Sequence, residues 1–194
     1  MPPKPKFTRE EIIDAALGIV SQSGIHALTA KSLGNALNTS ATPIFTVFNS
    51  MQEVADAVKA AAMVRFEEYA HRAGAGLPIF KQVGMQMILF AMEEPQLYQL
   101  VFMSNNSDVQ SFSDIYAHLG SVADECLNAI QADYGLSVND AKALFEHSWI
   151  HTYGIATLCA TGMCHFTQAD ISELLTQDFS AMMMLLQAKE GQTR

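Results

Sequence analysis

The chain has 194 residues, 49% hydrophobic and 16% charged, enough for one domain or a small and a larger one around a well-buried core. A formal charge of −9 excludes general affinity for nucleic acids or anionic membranes. The charge is uneven: Lys4, Lys6, Arg9 and Lys31 stand against Glu10, Glu11 and Asp14 in residues 1–50, a net of +1, which leaves −10 for residues 51–194.

No apolar stretch approaches the ~20 residues that a membrane span requires. The opening MPPKPKF lacks the apolar segment of a secretory signal. Three cysteines, an odd number in a chain of this length, do not suggest a disulfide framework. The chain reads as cytoplasmic, with no membrane partner.

In chain order, a Pro/Lys arm from Met1 to Phe7 precedes a helix that Thr8 and Glu11 cap reciprocally. Ile12, Ile13, Ala16, Leu17 and Val20 form its apolar stripe, and Gly24 closes it. Thr29 caps a second helix through Leu37, with Leu33, Ala36 and Leu37 on one face. Asn38-Thr39-Ser40 is a turn, and Ser40 is the expected N-cap of a short helix from Ala41 to Phe48. Pro43 is tolerable there because it falls in the first turn, where its missing N–H has no partner to lose. Two such helices joined by a tight turn make a helix-turn-helix, whose second helix can enter a DNA major groove.

Ser50 and Glu53 form another capping box, opening a long helix to about Ala73. Gly74-Ala75-Gly76-Leu77-Pro78 is the clearest break in the chain. Helical spacing then runs from Ile79 to Met92, is interrupted at Glu94-Pro95, and resumes from Gln96 to Met103. After the polar loop Ser104–Ser107, Asp108 or Ser111 caps a helix lasting to Tyr134-Gly135. Ser137 opens the next, ending near Gly162, and Thr167 opens the last, to about Lys189. With no alternating strand pattern and no repeat, the fold class is all-α: a three-helix bundle over residues 1–50 and a larger helical domain over 51–194.

Taken together, these residues resemble the TetR family of bacterial one-component transcription regulators. The likeness rests on Ala15-Ala16, Gly24, Leu28-Thr29, Leu33, Ser40, Ile44-Phe45-x-x-Phe48 and Ser50 leading into Val54, and covers roughly Thr8 to Val54. Further on, Glu94-Pro95-x-x-Tyr98-x-x-x-Phe102 and Trp149-Ile150-His151-x-x-Gly154 are similar to one subgroup, with tryptophan, histidine and glycine on the penultimate helix. The resemblance implies an N-terminal bundle that binds a pseudo-palindromic double-stranded operator. It also implies a homodimer through the last two helices, about Asn139–Gly162 and Gln168–Lys189, and a C-terminal pocket for a small-molecule effector. Such a protein is most simply a repressor that its effector releases.

On the DNA face, Thr29 and Ser40 sit at helix N-termini, which favour phosphate. Lys4, Lys6, Arg9 and Lys31 supply cations. Ala41, Thr42, Pro43 and Thr46 face base edges and suit thymine methyls better than bidentate hydrogen bonding, because none carries an amide or guanidinium. The family's phosphate-binding tyrosine is replaced by Phe45, its frequent histidine or tyrosine by Val47, and its frequent lysine by Met51, so three donors are gone. That thin polar surface motivates an alternative, an all-α ligand- or partner-binding module with a weakened DNA face.

In the second domain, Met85, Leu89, Phe102, Tyr116, Trp149 and Tyr153 are candidates for an apolar ligand cavity, with His151 or Tyr153 orienting a polar group. His147 and His151 lie four apart on one helix face, but Cys159, Cys164 and His165 lack metal-ligand spacing, so no metal site is expected. There is no Gly-rich phosphate loop, nucleophile elbow or recognisable carboxylate pair. No catalytic residue and no cofactor is assigned.

Overall fold

A computed structural model describes residues 5–72, 76–104 and 111–192. Lys4, the start of the N-terminal arm, most of the break at 73–75, the loop residues Asn105–Ser107 and the expected cap Asp108 lie outside the described residues. Every regular element among those described is helical. The chain forms two compact units: one runs through Phe66 and includes Glu94–Ser104, and the other comprises Glu67–Glu93 and the chain after Ser104. None of the helices described is long and apolar enough to cross a membrane.

The first unit is assembled from well-capped helices. In α1 (Arg9–Ser23) the Thr8 hydroxyl accepts from the Glu11 amide at 3.2 Å, and the Glu11 carboxylate accepts from the Thr8 amide at 2.8 Å. Ile12, Ala16 and Val20, at helical spacing, are fully buried. Gly24 ends the helix at φ 76°, a region that L side chains rarely adopt. A short 3-10 turn, Ile25–Ala27, leads to α2 (Ala30–Ala36), where Thr29 and Ser32 cap each other's backbone. Of the face expected on α2, Leu33 is fully buried, Leu37 is half-buried and Ala36 is exposed.

The next element departs from the sequence expectation. Ala41–Phe48 is not an α-helix but a bend followed by a single 3-10 turn, Ile44–Thr46, with no side-chain cap from Ser40. Three causes act together. Thr42, Ile44, Thr46 and Val47 are β-branched and poor helix formers. The Thr46 hydroxyl donates to the Pro43 carbonyl at 2.6 Å, a local bond that competes with the helical ladder. The turn is also tied to α2, with Asn38 at φ 51° and the Thr39 amide donating to the Gly34 carbonyl at 2.8 Å. Ile44 and Phe48 still anchor the segment, each at most 1% exposed.

The long helix α3 (Met51–Ala70) begins where the Ser50 hydroxyl accepts from the Glu53 amide at 3.1 Å. Its carboxylate turns to Asn49 rather than back to Ser50, accepting from that residue's amide at 2.8 Å. Val54, Val58, Ala62 and Phe66 give it a continuous buried stripe. The boundary between the units falls inside this helix, after Phe66. The later segment of the first unit consists of a one-turn helix, α5 (Pro95–Tyr98), running into a π-type turn, Gln99–Met103. It is fastened by Ser21 donating to Glu94 at 2.8 Å and by an edge-on contact of Phe66 with Phe102, centroids 5.0 Å apart.

In the second unit α4 (Ile79–Glu93) packs against α7 (Ser121–Tyr134), α8 (Val138–Ala160) and α9 (Gln168–Gln192). Val83, Met87, Phe90 and Ala91 of α4 are buried against this set. The single helix expected from about Ser111 to Tyr134 is in fact two, α6 (Phe112–Leu119) and α7, broken at Gly120 (φ 53°, ψ −128°). Only glycine takes that geometry readily, so the break is written in one residue. Ser137 and Thr167 cap α8 and α9 as their spacing implies, each hydroxyl accepting from the amide three residues on at 3.2 Å.

Candidate functional site

Two surfaces deserve a functional account, one in each unit. In the first, the turn between Thr39 and Phe48 is seated on α2 by Gly34. A Cβ added there would lie 2.9 Å from the Thr39 carbonyl oxygen and 3.3 Å from the Ser40 carbonyl carbon. Only glycine allows the backbone of the turn so close to the helix. The approach places Ser40, Thr42, Phe45 and Thr46 on the surface, with Ala41 and Pro43 half-buried. Phe45 is 45% exposed, unusual for a side chain of its size.

The basic residues near this turn differ in availability. Lys6 donates to the Thr39 hydroxyl at 3.3 Å and lies 5.2 Å from the Phe7 ring centroid, so the arm touches the turn. Arg9 is engaged within the fold: its guanidinium is 2.9 Å from the Glu53 carboxylate and 4.2 Å from the Phe48 ring centroid. The Asn49 amide and Arg9 hold the Glu53 carboxyl at about 2, well below its ordinary range. Thr29 is exposed, but its hydroxyl is occupied in the α2 cap. Lys31 is exposed on α2. The Arg9–Glu53 pair was not visible in the sequence, which marked Glu53 only as a cap; their 44-residue separation left no local signal.

In the second unit, α4, α7, α8 and α9 enclose a cavity of about 240 Å³. Its wall is largely apolar: Met87 from α4, Val122 from α7, Phe145 and Trp149 from α8, Leu175 and Phe179 from α9. Polar groups on it include Lys81, Ser148, Thr152, Thr176 and Asp178. Asp178 has a side chain only 7% exposed, one oxygen accepting from the Ser148 hydroxyl at 2.8 Å and the other 3.1 Å from His147 Nε2. His151 Nδ1 is 3.9 Å from that same oxygen, beyond hydrogen-bond reach. Lys81 donates to the Thr176 hydroxyl at 2.8 Å on the exposed side.

Of the seven residues that the sequence suggested for a ligand, Trp149 lies on this wall. Tyr116 stands behind it: its ring is 5.4 Å from Phe145, its hydroxyl donates to Glu146 at 2.8 Å, and burial with that carboxylate raises its pKa. His151 and Tyr153 are half-buried on α8, and burial likewise raises the Tyr153 hydroxyl. Met85 and Leu89 are half-buried on α4 away from the cavity lining, and Phe102 belongs to the first unit. Ser148, Thr152 and Asp178 were missed. Their signal was present as an i, i+3, i+4, i+7 face through Phe145, Ser148, Trp149 and Thr152, but only the packing of α9 reveals what that face meets. Among the described residues no three His, Cys, Asp or Glu side chains converge as metal ligands would.

A family model described as the tetracyclin repressor-like C-terminal domain matches residues 80–182. The chain belongs to the TetR family. It is thus a TetR-family transcriptional regulator by descent. Solved structures of similar fold include a TetR-like transcriptional regulator from a Rhodococcus species, 18% identical with a TM-score of 0.61, covering 91% of this chain and 96% of that one. A putative TetR-family regulator from Vibrio parahaemolyticus is 14% identical, TM-score 0.63, covering 89% and 97%. One from Mesorhizobium loti is 16% identical, TM-score 0.60, covering 92% and 98%. At these identities they share the TetR architecture. No curated protein matches the sequence.

Proposed function

We propose that this TetR-family chain is a non-enzymatic, cytoplasmic DNA-binding repressor, homodimeric, that a small molecule releases from a pseudo-palindromic operator. DNA reading is assigned to residues 1–50, and effector binding and dimerisation to residues 51–194. The observation that carries the reading is the exposed turn Ser40–Thr46, pressed onto α2 at Gly34 in one unit, while a separate, mostly apolar cavity lies in the other. The turn offers methyls, one exposed ring and few donors, which suits recognition by groove shape and thymine methyls, with Lys6 and Lys31 on phosphates.

Dimerisation through α8 and α9 is supported by their outer faces. Ile150, Met184 and Leu185 are 61%, 70% and 48% exposed, large apolar side chains that their own chain covers only in part. Gly154, one turn from Ile150, has nothing within 4 Å of where a Cβ would stand, so the isolated chain gives no packing reason for a glycine there. Close approach of a second helix supplies one. Because α3 belongs to both units, it is the element through which ligand occupancy reaches the DNA-reading turn, by altering the separation of two half-site readers about 34 Å apart.

Fluorescence anisotropy with labelled operator fragments at several salt concentrations tests this. A measurable affinity whose logarithm falls linearly with the logarithm of salt is expected. A slope near zero on every sequence overturns DNA binding. Coupling is reciprocal, so a ligand that releases operator must bind more weakly when operator is present, by the same factor. The engagement of Arg9 by Glu53, with Phe45, Val47 and Met51 lacking donors, favours one second reading: a ligand-binding module whose DNA face has weakened. The same titration separates the two.

A further inference from the structure

We propose that the cavity of the second unit takes a hydrophobic amine, its ammonium received by Asp178 and Thr152 and its body held among Met87, Phe145, Trp149 and Phe179. This rests on the reading of that cavity as the effector site, and it names the effector's chemistry.

A carboxylate on an apolar wall is the anomaly that needs explaining. The Asp178 side chain has lost nearly all contact with water, at 7% exposure, yet among the described residues it accepts a hydrogen bond only from Ser148, with His147 Nε2 in ion-pair range at 3.1 Å. An ionised carboxylate offers about four lone-pair sites, so acceptor capacity remains. Thr152 lies one turn beyond Ser148 on the same face of α8 and is 5% exposed. Among the described residues its hydroxyl makes no hydrogen bond, not even the back-bond to the carbonyl four residues earlier that Thr161 and Thr176 make. Gly84 stands opposite. A Cβ there would come within 3.6 Å of the Thr152 hydroxyl and 3.5 Å of Leu175, so the missing side chain keeps the space beside Thr152 open.

A nearly buried acceptor-only group and an unbonded hydroxyl, both on the wall of one apolar cavity, call for a ligand with several donors on one atom. A protonated amine has that arrangement, and its charge is opposite to that of the carboxylate. Removal of both from water strengthens the pairing relative to the same pair on a surface. Lys81 is the competing anchor and favours the opposite head group, a carboxylate. Its ammonium is held on the exposed side by Thr176, where water screens it, whereas the buried charge is Asp178.

The chain's single tryptophan, Trp149, lies on the cavity wall and reports occupancy directly. The full-length protein is titrated, without DNA, with phenylbutylamine, phenylbutanol and phenylbutyrate, which share a body and differ in head group. The amine should bind about tenfold or more tightly than the carboxylate, with the alcohol between. Asp178→Asn should reduce amine affinity about tenfold, to the level of the alcohol, and leave phenylbutanol within about twofold. Phenylbutyrate binding as tightly as the amine, an unchanged order in Asp178→Asn, or no fluorescence response to any of the three overturns the proposal. The wild-type series decides even where the variant fails to fold. If the amine binds in the expected order but leaves operator affinity unchanged, the regulatory reading fails and the ligand class stands. If phenylbutyrate binds in preference and releases operator, the reverse holds.

Discussion

Gly34 and Gly18 make a matched pair for testing how the turn proposed to read DNA is held. Both lie inside helices of the first unit, and neither has positive φ. Alanine at Gly18 meets nothing within 4 Å. There it gains only the helical preference of alanine over glycine, about 0.5–1 kcal/mol. Alanine at Gly34 gains the same preference but places its Cβ 2.9 Å from a backbone oxygen and 3.4 Å from the Ala41 amide nitrogen. Carbon–oxygen contacts ordinarily settle at about 3.3 Å or more, so the turn must retreat by roughly 0.4 Å. It cannot do so freely, because the Thr39 amide is bonded to the Gly34 carbonyl at 2.8 Å. Overpacking of this kind costs about 1–3 kcal/mol, which exceeds the helical gain and leaves Gly34→Ala destabilised by roughly 1 kcal/mol. The two variants should therefore differ by about 1.5–2 kcal/mol in opposite directions. Denaturant unfolding followed by far-UV circular dichroism measures this, and operator affinity should fall in Gly34→Ala alone. Equal stability of the two variants would refute the claim that close backbone approach seats the turn.

The Arg9–Glu53 pair makes a prediction about salt. Glu53→Gln frees the guanidinium for phosphate and removes a nearby negative charge, so operator binding should tighten and the salt slope should steepen by about one unit, read by anisotropy. The same carboxylate makes a prediction about pH. Its folded pKa lies at about 2 against an ordinary 4.5, so its contribution is complete above 4.5 and is lost as pH falls from there towards 2. Acid titration of thermal stability should show wild type losing its advantage over Glu53→Gln across that window; an advantage unchanged through it would contradict the pairing. Ile150→Glu puts a charge on the exposed outer face of α8 and should convert dimer to monomer in sedimentation velocity, with little change in the melting of the isolated subunit. A dimer unaffected by that change would move the interface elsewhere.

Much of the fold was legible because helix boundaries are local. Thr8 with Glu11, Thr29, Ser137 and Thr167 cap helices where their spacing implied, since a cap involves residues only three apart. The failures share a different character. Ala41–Phe48 carried a capping serine and a tolerated proline, but β-branched crowding and the pull of Gly34 reduced it to one turn. Gly120 sat in an otherwise unbroken helical pattern, and nothing nearby indicated that its φ would be positive. In the cavity, bulk and aromaticity led to Trp149. Asp178 is one of four acids on a long helix, and its burial depends on α8 lying across it. His147 and His151 suggested each other by their spacing, yet the charged neighbour of His147, 3.1 Å away, is a carboxylate some thirty residues along the chain.

The membership of Glu94–Ser104 in the first unit has a consequence for how the protein is made. That segment carries the Glu94 acceptor for Ser21 and the ring that packs on Phe66, and both must wait until α4 has been synthesised. The amino-terminal helices therefore leave the ribosome before their core can close, with Phe66 and the Gly24 corner still uncovered. Translation of α4 in between sets a minimum delay of roughly a few seconds at ordinary elongation rates. A fragment ending at the close of α3 would stay in that unfinished state. The first unit is thus completed by residues encoded after the second unit has already begun.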